Sequence, residues 1–337
     1  MSVCKFEKCV NPPVFGSEYC WDHIEDKESY KRNLLSKAAA NESLRNINLS
    51  KVDLRDAELA RIDLSGANLT RADLSNSNLF DTNLNKAELL GSNLFQADLT
   101  SANLTGSDLT RSCLRNARLW HANLENATLI EADLDQCDLW NARLFNARFW
   151  RTNFNGAFSL SKKNFECRVN RFVNIYRINE NGILSAEESY RDLKKYFLAN
   201  GRYNDASWAS FKEKTMEKML LKKKKDPACI PSMIMDLLCG YGEKPHRIIM
   251  SSFIMILFYA LLYFISNAIT YAQSDVYEMS LGDYIYYSII TFTTVGYGDF
   301  IPKSALLFRS LAASEAFIGT FMIGLFIFTL ARKYSAR

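Results

Sequence analysis

The chain has little net charge. Over 337 residues, 41 basic and 37 acidic side chains leave +4. That near-balance gives no electrostatic footprint of a nucleic-acid binder. Histidine is scarce, with three residues, and neither these nor the scattered carboxylates form a nucleophile–base constellation. An enzyme is therefore not expected. A Gly-rich nucleotide-binding βαβ segment and a cyclic-nucleotide pocket pattern are both missing. Met1 to Val10 has no long apolar core, so no secretory signal is expected. The polar part should then stay in the cytoplasm, where reducing conditions argue against a disulfide framework for the eight cysteines. What is present is unevenly spread. Before about residue 245 the composition is ordinary, while about ninety residues after it are dominated by Ile, Leu, Phe, Tyr and Met. The length leaves room for two or more domains, at about one per 100–200 residues. A large soluble part followed by a small membrane part is expected.

Three of the cysteines cluster. Cys4, Cys9, Cys20 and His23 are spaced C-x4-C-x10-C-x2-H. Zinc favours four sulfur and nitrogen ligands in close pairs joined by a loop. Asn11-Pro12-Pro13 and Gly16 supply turn chemistry for that loop. So short a segment cannot bury a core, and a metal would have to hold it. The bland alternative is a disordered tail with incidental cysteines. The remaining cysteines are isolated and read as small apolar fillers.

From about Ile47 to Ala157 the sequence repeats every five residues. Leu49, Leu54, Leu59, Leu64, Leu69 and Leu74 begin the register, and Leu139, Leu144, Phe149 and Phe154 end it. Two residues before each Leu there is usually a small residue, and one before it usually Asp or Asn, as in Ala67-Asn68-Leu69-Thr70-Arg71. Period five fits neither helix nor strand, and a fixed short repeat signals a solenoid. One unit forms one side of a four-sided coil, with the large and the small residue inward. The pattern closely resembles the pentapeptide-repeat family, which implies a right-handed quadrilateral β-helix. At the usual strand spacing, five to six coils would make a stack of roughly 25 Å. Some members of that family are acidic DNA mimics. Here Arg61, Arg71, Arg111, Arg115 and Arg151 oppose Asp53, Asp63, Asp73 and Asp133, which weighs against that role.

Residues twenty apart should share a face. Phe80, Thr100, Trp120 and Trp140 form one line, and Leu90, Thr110, Ile130 and Trp150 another. Aligned exposed aromatics suggest docking, onto the following helices, a neighbouring subunit or a cytoplasmic protein partner. Scattered surface apolar residues are the bland reading. After the repeat, Ser185-Ala186-Glu187-Glu188 is a capping-box pattern that would open a helix carrying Tyr190, Leu193 and Phe197. Asn200-Gly201 would end it. A second helix, from near Asp205, carries Trp208, Phe211, Thr215 and Met219 and runs into Lys222–Lys225. That lysine run suits an anionic cytoplasmic leaflet; a nuclear signal or a solvated end are the other readings. Ile230 to Leu238 reads as an interfacial helix. Gly240-Tyr241-Gly242 reads as a linker turn.

Ile248 to Tyr271 is a nearly unbroken apolar run, long enough to span a bilayer, which takes about 20 helical residues. Ala305 to Leu330 is a second, followed by Arg332, Lys333 and Arg337. The loop between them carries Asp275, Glu278, Asp283 and Asp299, with Lys303 alone as a cation. The positive-inside rule then puts both termini in the cytoplasm and the loop outside. Within the loop, Tyr284 to Thr293 reads as a half-length helix, followed by Thr294-Val295-Gly296-Tyr297-Gly298-Asp299. A dehydrated K+ needs oxygens at successive positions, which backbone carbonyls supply if the glycines allow the unusual angles. Residues 245–337 resemble the potassium-channel pore family. The resemblance implies ion-binding positions at Thr294, Val295, Gly296, Tyr297 and Gly298, with Thr293, Asp299, Tyr286 and Tyr287 supporting them. It implies K+ as the permeant ion and a homotetramer, since each chain carries one loop. By the same resemblance Gly319 matches the glycine at which inner helices bend. Glu315, one turn before it, either lines the cavity or hydrogen-bonds behind the filter. No helix carries Arg at every third residue, so voltage sensing by that device is not expected.

The expected architecture is multidomain. It comprises a zinc-binding head (1–25), a helical linker (26–43), the pentapeptide-repeat β-helix (44–158), a helical hairpin connector (159–228), an interfacial helix and linker (229–245), and an all-α two-span tetrameric pore (246–337). The pore divides into spans at about 248–271 and 305–330, a pore helix at 283–293 and a filter at 294–298. The expected function is passive K+ conduction across a plasma (bacterial inner) membrane, with the β-helix serving assembly or gating. A membrane-anchored scaffold with a weakly conducting pore is the alternative, and a membrane-tethered DNA mimic a more distant one.

Overall fold

The computed structural model describes residues 3–40, 42–166, 180–272 and 278–335, the side chains of residues 332–335 excepted. Asp275 and Arg337 lie outside the described residues, as do the side chains of Arg332 and Lys333. The chain divides into two compact units, Met1–Met216 and Glu217–Arg337.

The first unit is built on the five-residue repeat. Parallel bridges join residues twenty apart, from Asn48↔Asn68 through Asp138↔Phe158. Each coil therefore consumes four repeat units. The central residues from Leu49 to Leu144 are buried to the last atom or nearly so, and the small residues two before them are buried beside them. Where the small residue is Ser, its hydroxyl is satisfied locally: Ser77, Ser92 and Ser107 donate to the carbonyls of Leu74, Leu89 and Leu104 at 2.7–2.8 Å. Where Asp or Asn stands before the Leu, it has its own task. Its Oδ1 accepts the backbone N–H two residues on, as Asn68 does from Thr70 and Asp108 from Thr110, both at 3.0 Å. That bond fixes a corner. The same residues also stack between coils, with Asn83 donating to Asp63 at 2.9 Å and Asn103 to Asn83 at 3.1 Å. Two residues after each Leu the backbone turns left-handed, at residues as unlike as Lys51, Asp56, Arg61, His121 and Glu131. Each such non-Gly residue carries strain of about 1 kcal/mol or more, which the ladder on either side overrides.

Helix α1, Lys27–Ala39, is capped by Asp26, whose side chain accepts from the Ser29 amide. It buries Leu34 and Ala38 against the first coil. At the other end, the short α2, Lys162–Phe165, closes the stack. Asn164 donates to the carbonyls of Leu139 and Ala142, both at 2.9 Å, and Phe165 covers Phe149. Helix α3, Glu180–Ala199, and the first part of α4, Tyr203–Lys223, form a helical hairpin. Helix α3 is already running at Glu180, so the Ser185 pattern does not open it. Ser185 instead donates back to the Asn181 carbonyl at 2.9 Å, which is how serine satisfies itself inside a helix. The turn at Gly201 is left-handed, as a C-terminal glycine permits. Glu213 is buried between Arg191 at 3.0 Å and Lys194 at 3.2 Å, which join α3 to α4. A cleft of about 630 Å³ lies between the last coils and this hairpin, lined by Ile130, Trp150, Tyr190, Trp208 and Lys212.

The second unit is helical. Helix α5, Cys229–Cys239, ends at a left-handed Gly240. Its Ile230, Met233, Ile234 and Leu237 are exposed. Asp236 on its inner side receives Lys218 and Arg247. Residues 240–242 all have positive φ and form the turn into α6. Helix α6, Pro245–Ser266, and α8, Leu306–Ser335, are both long and apolar enough to cross a membrane. The first span stops earlier than the hydrophobic run. Asn267 is left-handed and ends α6, and Ile269–Tyr271 leaves the helix as strand β1. β1 pairs antiparallel with β2, Phe300–Pro302, in the register Ile269↔Pro302 and Tyr271↔Phe300. Between them stands α7, Leu281–Phe292, capped by Ser280 and Asp283 in a reciprocal box.

Candidate functional site

The segment from Thr293 to Asp299 hangs between α7 and β2, and both ends of it are anchored. Thr293 ends α7, with its amide bonded to the Ile289 carbonyl at 3.0 Å. The Asp299 carbonyl accepts from Ala272 at 2.8 Å, next to the β1–β2 pair. Tyr286 packs on Phe300 at 5.9 Å. Tyr287 is buried and meets Tyr263 edge-on at 5.1 Å. The two neighbouring tyrosines of α7 therefore pack on different partners, Phe300 of β2 and Tyr263 of α6.

The loop between these anchors has no such cover. Residues 293–298 are all exposed, with Val295 at 52% and Tyr297 at 73%. Thr294, Gly296 and Gly298 have positive φ, while Val295 and Tyr297 between them do not. A side chain added at Gly296 or Gly298 would meet nothing within 4 Å. The glycines are thus required by backbone handedness, not by crowding. Gly319 is the reverse case: a Cβ there would come 1.9 Å from the Phe292 carbonyl oxygen. This is where α8 crosses the end of α7.

Glu315, one turn before Gly319, is fully buried, at 0% exposure. It accepts from the Tyr263 hydroxyl of α6 at 2.6 Å and from the Ser288 hydroxyl of α7. Its carboxylate is turned into protein and ties all three helices behind the loop. Ser288 also lies 2.9 Å from the Ile256 carbonyl. The sequence marks Glu315 as unusual but gives no sign of Tyr263 or Ser288 as its partners. These are ordinary residues on other helices, and only the packing identifies them.

In the first unit, the ligand atoms of Cys4, Cys9, Cys20 and His23 lie within 4.8 Å of one another. Cys9 and Cys20 sulfurs are 3.7 Å apart, and His23 Nδ1 is 3.5 Å from Cys4 and 3.3 Å from Cys20. The Cys20 amide donates to Cys4 Sγ at 3.3 Å. Burial acts against the Cys4 thiolate. The amides of Cys20 and Phe6, with His23, outweigh it and bring the thiol down to about 6. Such a donor set suits a soft or borderline metal ion.

Of the two aromatic lines, Trp120 and Trp140 are exposed and meet edge-on at 6.2 Å. Trp150 ends the other line and donates to Glu188 of α3 at 2.5 Å. That end of its line is taken up by α3.

Comparison with known proteins divides along the same boundary. Residues 247–336 match the family described as ion channel. Residues 47–85, 77–116 and 122–158 match pentapeptide repeats, in 8 copies. Among solved structures, HetL, a pentapeptide repeat protein involved in heterocyst differentiation regulation from the cyanobacterium Nostoc sp. strain PCC 7120, is 29% identical. The match covers 33% of this chain and 69% of HetL, with a TM-score of 0.18. Rfr23, a pentapeptide repeat protein from the cyanobacterium Cyanothece 51142, is 27% identical over 37% of this chain and 92% of its own, with a TM-score of 0.18. QnrB1, a plasmid-mediated fluoroquinolone resistance protein, is 17% identical over 33% of this chain and 61% of its own, with a TM-score of 0.22. No curated protein matches. The chain therefore joins a pentapeptide-repeat segment to an ion-channel segment.

Proposed function

We propose that this chain is one subunit of a potassium-selective channel that conducts K+ passively as a homotetramer. The observation that carries the reading is the loop at 294–298. Alternating the sign of φ turns successive carbonyls to one side, and a column of carbonyls is what replaces the water shell of K+. Thr294, Val295, Gly296, Tyr297 and Gly298 are the proposed ion-binding positions. Thr293, Asp299, Tyr286 and Tyr287 hold them. The exposure of the whole loop in a single chain fits a site completed by three further copies. Gly319 and Glu315 are proposed to set the position of α8 against α7, and so to influence opening.

The spans are read as crossing a plasma (bacterial inner) membrane with both termini cytoplasmic, α5 lying along the interface. The β-helix is read as an assembly or gating element. The Cys4–His23 cluster is read as a zinc site.

Reconstituted into liposomes with a K+ gradient, the full chain should carry K+ flux and exclude Na+. Gly298→Ala should abolish the flux, because a side chain disfavours the left-handed angle. Equal K+ and Na+ flux through the natural sequence would overturn the selectivity. No flux of either ion would favour a scaffold.

A further inference from the structure

We infer that the Cys3His cluster is the clasp of an N-terminal cap for the β-helix, and that metal occupancy decides whether the first coil is covered. This rests on reading the four side chains as zinc ligands. The donor spacing supports that reading. With Zn–S bonds of about 2.3 Å, two sulfurs of a tetrahedral site stand about 3.8 Å apart, and a sulfur and a nitrogen somewhat closer. The distances here are 3.7 Å between Cys9 and Cys20, and 3.5 and 3.3 Å from His23 to Cys4 and Cys20. The Cys20 N–H aimed at Cys4 Sγ is the outer bond that steadies a metal thiolate.

The head does more than hold an ion. In the ladder, each coil's carbonyls accept from the coil before. Asn68 O accepts from Leu49 N–H, and one coil further on Glu88 O accepts from Leu69 N–H. Asn48 is in the first coil and has no earlier coil to serve it. Phe15 N–H takes that place, donating to Asn48 O at 2.8 Å. The Asn48 side chain, whose counterparts bond to the coil below, donates instead to Pro13 O at 2.6 Å. Asp22 pairs with Lys51 at 2.5 Å, and Tyr30 of α1 donates to Phe15 O at 2.8 Å. Val14 and Trp21 belong to the same buried cluster as Leu34, Ala38 and the Leu column. The head thus supplies a partial substitute for a missing coil.

What holds the substitute in shape is the metal site. Apart from two ligand cysteines, only Val14 and Trp21 are buried among the described residues before α1, while Phe6, Val10 and Tyr19 are exposed. That is too little apolar burial to fold alone, so metal binding and head folding should be one equilibrium. The opposite end differs, being closed by Asn164 and Phe165 with no such donor set among the described residues. Solenoid ends need caps, and here one cap is metal-dependent.

The test uses the full chain in detergent. Metal content is measured by mass spectrometry, then amide hydrogen exchange is followed before and after chelation and after Zn2+ is restored. One zinc per chain is expected. Chelation should speed exchange across Cys4–Trp21, including the Phe15 amide, by at least tenfold. Exchange around Leu104 should not change, and Zn2+ should restore protection. Cys9→Ser should reproduce the chelated pattern without added chelator. If zinc is bound but its removal leaves Phe15 protected, the cap inference fails and the zinc reading stands. If the chain neither contains nor takes up zinc, both fail.

Discussion

The two units solve the burial problem in opposite ways. In the β-helix every coil completes its neighbour. Its Leu column is closed to solvent, and its inward hydroxyls find carbonyls within the same chain. The helical unit leaves its most distinctive residues open. The loop at 294–298, the outer faces of α6 and α8 and the apolar side of α5 are all exposed. A soluble unit with such surface would aggregate. The contrast teaches that exposure has different meanings in the two. In the repeat, the exposed Trp120 and Trp140 stand on a unit whose own core is already closed. In the helical unit, exposure marks what lipid and further copies are proposed to cover.

Three substitutions probe that contrast. The largest effect is expected at Leu104, fully buried in the column. Leu104→Ala should destabilise the first unit by about 4 kcal/mol. Ion flux through reconstituted protein should lose none of the proposed K+ preference, because the change lies in a different unit. Altered selectivity would break the separation between the units. Next is Gly319→Ala. The added methyl would run into the Phe292 carbonyl at 1.9 Å, which backbone cannot yield cheaply. A loss of about 3 kcal/mol is expected, read as faster amide exchange in α7 with the β-helix amides unchanged. Unaltered α7 protection would show that α8 has room to shift there.

The smallest effect concerns Glu213, where charge takes over from apolar packing. Burial favours its neutral form, but hydrogen bonds from Arg191 and Lys194 prevail and hold the carboxyl below its ordinary 4.5. A carboxyl depressed in the folded state stabilises fully above its unfolded value. That contribution is lost as pH falls through the lower, folded value. Glu213→Gln should therefore cost about 2 kcal/mol at neutral pH. The cost should shrink as the pH falls below the carboxyl's ordinary 4.5, as judged by thermal unfolding of the full chain at neutral and at acid pH. An equal cost at both would mean that shape, not charge, holds the hairpin.

Legibility in the sequence followed the range of the interactions. The repeat was readable because its burial pattern is local and recurs every five residues. Even so, the left-handed position after each Leu was not, because only Gly66, Gly91, Gly106 and Gly156 advertise it. The loop at 294–298 was readable from its glycines. The β1–β2 pair was not. Three residues give no alternation to detect, and Ile269–Tyr271 continues the hydrophobic run of α6. Ser185 misled for a related reason, since a capping pattern is meaningful only if the helix begins there, and α3 is running at Glu180. The Cys3His spacing pointed to a metal, but nothing near Phe15 announced that its amide would stand in for a coil.

The twenty-residue coil has a consequence for how such a chain changes length. Removing twenty residues from the repeat takes out one whole turn and leaves every remaining side on its original compass bearing. Removing five shortens the winding by one side and swings everything beyond the cut by a quarter circle. The same kind of deletion thus acts as a ruler in one case and a dial in the other. The line through Phe80, Thr100, Trp120 and Trp140 would survive the first edit, shifted by one step. The second edit would break it in two.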